Sequence, residues 1–231
     1  MRDKRGPIIA IDGPSGVGKT TVSRLIAEKL HLAYVNTGAM YRILALAAHD
    51  SGVDINSEKA LEDFCSKADI SFDKATGSTF LNGKDYKDRV RTQEAGELAS
   101  ITSAKKPVRD FLVAFQRRIG EAGSVVMEGR DIGTAVFPDA DIKFFLDASH
   151  EVRAKRRHLE IAEKAKATTE EVSREIKERD KRDTERRNSP LKMADDAILI
   201  DTSDIGIEEV VSKMLLNVEE RLNLKVGDIR S

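Results

Sequence analysis

The stretch Ile8-Ile9-Ala10-Ile11-Asp12-Gly13-Pro14-Ser15-Gly16-Val17-Gly18-Lys19-Thr20 decides the fold. Pro7 to Asp12 is a short apolar run closed by Gly13, which suits a strand buried on both faces. Gly13 to Thr20 matches G-x-x-x-x-G-K-[ST] without a gap. From Lys19 onward Val22, Leu25, Ile26 and Leu30 share one helical face. Strand, glycine-rich loop and helix in this order make a phosphate cradle. Glycines let successive N–H groups turn inward, and the helix N-terminus adds its positive end. The candidate donor-nucleotide residues are therefore Gly13, Pro14, Ser15, Gly16, Val17, Gly18, Lys19, Thr20 and Thr21. Lys19 is the candidate catalytic cation on the β- and γ-phosphates, and the Thr20 hydroxyl is the candidate Mg²⁺ ligand.

Working outward, Leu32–Val35, Ser124–Glu128, Ile142–Leu146 and Ala197–Asp201 read as further strands. Met40, Ile43, Leu44 and Ala47 stripe a helix that stops near Gly52, and Val210, Val211, Met214, Leu215 and Val218 stripe a closing one. This alternation predicts an α/β fold, a P-loop parallel sheet flanked by helices. It is interrupted after Asn56 or Ser57, which cap a helix through Phe64. Ile70–Asp73, Thr79–Leu81 and the Asn82-Gly83 turn signal then predict a small antiparallel hairpin region, with helices resuming near Thr92 and over Pro107–Ile119. Ser149 caps a long charged helical stretch, and Thr168 with Glu171 forms a capping box for the next helix. The expectation from this pattern is a parallel core interrupted by a small inserted subdomain, with no internal repeat or low-complexity linker. The tail from Gly227 is expected to be loose.

Composition excludes several classes. The 231 residues carry a formal net charge of -1, so no general attraction to nucleic acid or anionic membrane is expected. No apolar run approaches the ~18 residues of a membrane span, and no h-region follows Met1. The single cysteine, Cys65, lies in a helix-like pattern and reads as a buried structural thiol in a reducing, cytoplasmic setting. His31, His49, His150 and His158 are scattered without metal-ligand spacing.

Two more loops follow strands that share a rim with the phosphate cradle: Asn36-Thr37-Gly38-Ala39-Met40-Tyr41-Arg42 and Glu128-Gly129-Arg130-Asp131-Ile132-Gly133-Thr134. Strand C-termini are where open α/β sheets bind ligands. Each loop offers glycine for close backbone approach and arginine for phosphate. A GTPase switch would carry N-K-x-D, which occurs nowhere in the sequence.

These motifs, together with Arg91-Thr92, Pro107-Val108-Arg109, Val136-Phe137-Pro138-Asp139-Ala140, Arg179-Asp180, Asp183-Thr184-Glu185-Arg186, Ser189-Pro190-Leu191 and Asp196-Ala197, resemble the bacterial cytidylate kinases and run in that family's order from Ile8 to about Leu215. The resemblance implies transfer of the γ-phosphoryl group of ATP to CMP or dCMP, with Mg²⁺, by a monomer. Thr37, Arg109, Asp131 and Arg186 would build the cytosine pocket. Arg42 and Arg130 would hold the acceptor phosphate as catalytic cations. Ser100, Arg179 and Asp183 would meet the sugar, and Arg153 or Arg157 would lie near the donor, with Arg157 as a further catalytic cation. The resemblance also implies a single domain divided into a core over 1–55, 120–155 and 188–226, an acceptor-binding insert over about 56–119 and a short mobile lid over about 156–187. The chain departs from the family at Asn36, where Asp is usual; a neutral side chain there is a weaker partner for Mg²⁺ or for a water at the loop. The alternatives are a kinase that prefers another nucleoside monophosphate such as UMP, and a P-loop protein that binds nucleotide without phosphotransfer.

The roles make chemical sense. An ionised Asp accepts from the C4 amino group of cytosine but faces a carbonyl oxygen in uracil, and a buried polar site left unmatched by the wrong base is penalised strongly. A simple Asp131–Arg130 ion pair is the plainer reading of those two residues. The acceptor phosphate needs no base, because its second pKa lies near ~6. The charged stretch from Arg153 to Arg187 is for the most part a solvated helical surface, with a few arginines of a closing lid among it.

Overall fold

The computed structural model describes residues 5–161 and 168–222; the chain beyond Leu222, including the tail expected to be loose, lies outside the described residues. Strand β1 (Ile8–Asp12) leads through the glycine loop into helix α1 (Lys19–Lys29), then β2 (Ala33–Asn36) and α2 (Thr37–Asp50). Helix α3 (Glu58–Cys65) precedes three short strands, β3 (Ile70–Asp73), β4 (Ser78–Leu81) and β5 (Lys84–Asp85), then α4 (Gln93–Thr102) and α5 (Lys106–Gly120). The chain closes with β6 (Val125–Glu128), β7 (Ile142–Asp147), α6 (His150–Ile161), α7 (Thr169–Glu185), β8 (Ile198–Asp201) and α8 (Ile207–Leu222).

Five strands form one parallel sheet in the order β2-β6-β1-β7-β8. Every residue of β1 is buried, as its apolar run predicts for a central strand covered on both faces. Side chains alternate across the pleat. Ile8 and Ala10 point into one apolar cluster with Met40, Leu44, Leu98 and Leu112. Ile9 and Ile11 point into the other with Val22, Ile26, Met214 and Val218. Each fully buried Ile contributes roughly 1.5–3 kcal/mol of transfer free energy.

The segment expected as an insert is more integrated than its sequence suggests. Its helices α4 and α5 share the first cluster with α2 and the sheet, so they supply much of one covering layer. The three-stranded antiparallel sheet β3-β4-β5 is separate from the main one. Asn82 and Gly83 turn β4 into β5 with φ of 51° and 71°, values both residue types tolerate. A second turn joins Asp73 to Ser78, and the strand that follows the Asn82-Gly83 turn, β5, is only two residues long.

Local stops and starts follow the capping chemistry. Ser57 rather than Asn56 caps α3, its Oγ accepting from the Ala60 N–H at 3.2 Å. Thr168 and Glu171 form the reciprocal capping box of α7. The Ser149 Oγ accepts from Val152 N–H at 3.3 Å at the start of α6. No helix among the described residues is long and apolar enough to cross a membrane.

Candidate active site

Parallel pairing of β2, β6 and β1 brings three C-terminal ends to one rim, with Asn36 and Ile11 both in register with Glu128. The glycine loop, the Asn36–Arg42 segment and the Glu128–Thr134 segment therefore face a common space. Gly13 begins the first with φ 145°, and a Cβ there would lie 2.1 Å from the Leu146 carbonyl oxygen; only glycine passes this point. Lys19 is buried, and its Nζ donates to the Pro14 carbonyl oxygen at 2.5 Å across the loop. Arg153, reaching over from α6, donates to the Ser15 carbonyl oxygen at 3.3 Å and pairs with Asp180 of α7.

Gly129 lets the acceptor loop approach α2, since a Cβ on it would stand 2.8 Å from Thr37 Oγ1. Thr37 Oγ1 itself donates to the Glu128 carbonyl oxygen at 2.7 Å. Beyond Gly129 the two charged side chains diverge. Arg130 Nε donates to Asp183 Oδ2 at 3.0 Å. Asp131 lies between Arg109 of α5, paired with its Oδ2, and Arg186 just past α7, whose Nη2 is 3.3 Å from its Oδ1. The plain Asp131–Arg130 ion pair is thus not what forms: the chain direction at Asp131 (φ −152°, ψ 27°) sends its carboxylate to α5 and Arg130 toward α7. Tyr41 packs beneath the Arg109 guanidinium, 5.7 Å from ring centroid to Cζ.

Cations gather on the side facing the glycine loop. Arg42 donates to the Val90 carbonyl oxygen at 3.0 Å through Nη1, while its Nε is buried with no hydrogen-bond partner. Arg179 Nε is also buried without one, 4.0 Å from Asp183 Oδ2, and the Ser100 Oγ is another such atom. Burial, followed by the charges of Arg157 and Arg130, pushes Arg42 down to about 10. Burial and Arg130 push Arg179 down to about 9. Lys19 is held well below its ordinary value by burial and then by Arg130. Such mutual repulsion among cations marks a place that favours an anion. Arg157 faces this group from α6 and pairs with Glu160 at 3.0 Å. Of the two arginines expected near the donor, Arg153 lies on the glycine loop and Arg157 beside the acceptor-side cations.

Carboxylates not assigned in advance complete the rim. Glu128 accepts from Thr20 Oγ1 at 3.3 Å and from the Tyr34 hydroxyl, which in turn accepts from Asn36 Nδ2 at 3.1 Å. Asn36 also caps α2, its Oδ1 accepting from Ala39 N–H at 2.9 Å. Asp12, at the end of β1, accepts from the N–H groups of Ile132 and Gly133, each at 2.8 Å. The signal for both acids was available: a carboxylate closing an apolar strand is buried, and a buried carboxylate requires partners. Thr20 Oγ1 and Glu128 Oε2 form a hard-oxygen pair that fits Mg²⁺. Among the described residues no three of His, Cys, Asp and Glu converge to cage a metal.

The sequence matches the cytidylate kinase family over residues 9–220. Cytidylate kinase of Citrifermentans bemidjiense is 45% identical over 95% of both chains, and that of Fervidobacterium nodosum is 50% identical over 94% of this chain and 98% of its own. The chain belongs to the cytidylate kinase family. The fold is also similar to an uncharacterized protein from Eubacterium ventriosum, with a TM-score of 0.54 at 14% identity over 93% of this chain and 99% of that one. Within the family match lie all three rim loops, the Arg109–Asp131–Arg186 cluster and α7.

Proposed function

We propose that this protein transfers the γ-phosphoryl group of ATP to CMP or dCMP, giving CDP or dCDP. Family membership supports the reaction. The observation that carries the site assignment is the gathering of Lys19, Arg42, Arg130 and Arg179 on one rim beside a buried Asp131 flanked by two arginines.

Gly13 to Thr21 hold the donor phosphates through inward N–H groups and Lys19, which leaves the Pro14 carbonyl oxygen to do so. Arg42, Arg130 and Arg179 offer unpaired or exchangeable N–H groups to the acceptor phosphate and sugar, and Ser100 and Asp183 serve the sugar hydroxyls. Asp131 accepts from the cytosine amino group while Arg109 and Arg186 fix its carboxylate and reach the ring acceptors; Thr37 lines the same pocket. The acceptor oxygen is already anionic at neutral pH, so these residues position and neutralise rather than remove a proton. Mg²⁺ bound at Thr20 and Glu128 would neutralise the donor phosphates. The segment over about 156–187, of which 162–167 lie outside the described residues, acts as the lid with Arg157 facing inward and Arg153 just before it on the glycine loop, and the 56–119 segment acts as the acceptor-binding part. The lid excludes water, the competing acceptor.

The test is ADP release from ATP and Mg²⁺ with each nucleoside monophosphate in turn. Turnover with CMP and dCMP and not with UMP is expected. Equal turnover with UMP would overturn the cytosine pocket, and ADP release that no acceptor increases would overturn the kinase reading.

A further inference from the structure

Asp12 belongs to neither nucleotide site, yet it joins them. It is the residue immediately before Gly13, so its backbone starts the donor loop. Its side chain is 4% exposed, and both its oxygens are used: Oδ1 accepts from Ile132 N–H and Oδ2 from Gly133 N–H, at 2.8 Å each. One residue earlier, the Ile11 carbonyl oxygen accepts from Gly129 N–H at 2.9 Å. The end of β1 therefore holds the acceptor loop at Gly129 and again at Ile132 and Gly133. Arg130 and Asp131 are the two residues between these anchors. Their side chains diverge to Asp183 on one side and to Arg109 and Arg186 on the other.

A single one-residue tie would leave that loop free to pivot. The Asp12 tie also secures a turn of unusual geometry, the π-helical turn Ile132–Val136, whose first two N–H groups have no helical partner of their own. A carboxylate taken into the interior pays for burial, which pushes Asp12 up to about 6, partly offset by the Gly133 and Ile132 N–H groups. An apolar side chain would fill this space without that cost, but it would leave two buried N–H groups unpaired.

We propose that Asp12 is a positioning residue for acceptor specificity, fixing Arg130 and Asp131 in register with the donor loop by clamping the backbone of Ile132 and Gly133. The proposal rests on the cytosine-pocket reading above. It also makes a directional claim: although Asp12 adjoins the ATP loop, its loss is felt chiefly on the acceptor side. A role through the charge of nearby Lys19 would show the opposite pattern.

The experiment compares wild type, Asp12→Asn and Asp12→Ser in ADP release with CMP and UMP, varying ATP and acceptor separately, alongside thermal melts. Wild-type turnover of CMP over UMP tests the pocket itself and is scored first. Asn keeps the volume and one acceptor oxygen but turns an N–H donor toward the other N–H; Ser is one bond shorter, so its single oxygen cannot span the two N–H groups and leaves a gap. The expected result is a rise of ~10-fold or more in the KM for CMP with both variants, a narrowed CMP-to-UMP preference in both, and an ATP KM within about 2-fold of wild type, since displacement of reacting groups by about 1 Å costs up to ~100-fold. A raised ATP KM with unchanged CMP KM, an unchanged CMP-to-UMP preference in the folded variants, or failure of both variants to fold would overturn the proposal and leave Asp12 a residue of the donor loop or of stability alone.

Discussion

Arg109 and Asp131, 22 positions apart in the chain, form an ion pair sealed from solvent, their side chains 4% and 6% exposed. Arg186 approaches the other oxygen of the same carboxylate at 3.3 Å. Taking these charges out of water is costly, and burial indeed pushes the Asp131 carboxyl above its ordinary value against the pull of Arg109 and Arg186. A purely structural role is poorly served by such an arrangement. The arrangement fits the proposed pocket that reads the edge of a base.

Asp131→Asn leaves two guanidinium groups without their counter-charge, so it lowers stability by about 3 kcal/mol as well as altering the pocket. The informative quantity is the ratio of kcat/KM for CMP and UMP, which is independent of the folded fraction. That ratio falls by ~100-fold or more. A destabilised variant with its CMP preference intact would move cytosine recognition elsewhere.

Lys19→Met removes the one cation built into the donor loop while keeping a long apolar stem. The account expects kcat to drop by ~100-fold or more, with the melting temperature little changed, because Nζ makes a single hydrogen bond to Pro14. Circular dichroism melts and steady-state turnover on the same preparation check both halves.

Tyr34 bears on the Mg²⁺ site proposed at Thr20 and Glu128. Its hydroxyl donates to Glu128 Oε1 and accepts from Asn36, while Glu128 Oε2 accepts from Thr20. Tyr34→Phe frees Glu128 from this restraint, so the Mg²⁺ concentration for half-maximal turnover rises by ~10-fold or more at saturating nucleotide, the loss expected when a supporting partner of a ligand is removed. Calorimetric titration of the ATP-loaded protein with Mg²⁺ gives a readout apart from turnover. An unchanged metal requirement would place Glu128 outside the metal's reach.

Cys65 is buried, and desolvation pushes its thiol up to about 11. Thiolate is the reactive form, so at pH 8 alkylation of the folded protein is slower than that of a free cysteine, and it accelerates as pH rises toward 11. Mass spectrometry after iodoacetamide treatment, with and without denaturant, checks this; rapid labelling of the native chain at pH 8 would contradict it.

Much of this arrangement is legible in the chain itself, and the part that is not has physical causes. Ile8 to Thr20 can be read because strand, loop and helix are contiguous, so local pattern carries the whole phosphate cradle. The parallel alternation places Asn36 and Glu128 on the same rim as Gly13, and the register agrees. Pairing is a different matter. Nothing within a few residues of Asp131 says that Arg186, 55 residues on, shares its carboxylate while neighbouring Arg130 turns away. Asp12 and Glu128 are concealed as ends of apolar runs, where they look like strand boundaries. The segment after Asn56 reads as a separate excursion, because sequence order does not reveal that Leu98 and Leu112 meet Ile8 and Ala10 in one cluster.

The central claim, an acceptor pocket for cytosine nucleotides beside an ATP loop, is tested most directly by ADP release from ATP and Mg²⁺ with CMP, dCMP, UMP, AMP, GMP or no acceptor. The account predicts turnover confined to CMP and dCMP. Comparable turnover with UMP or AMP, or none that depends on an acceptor, would contradict it.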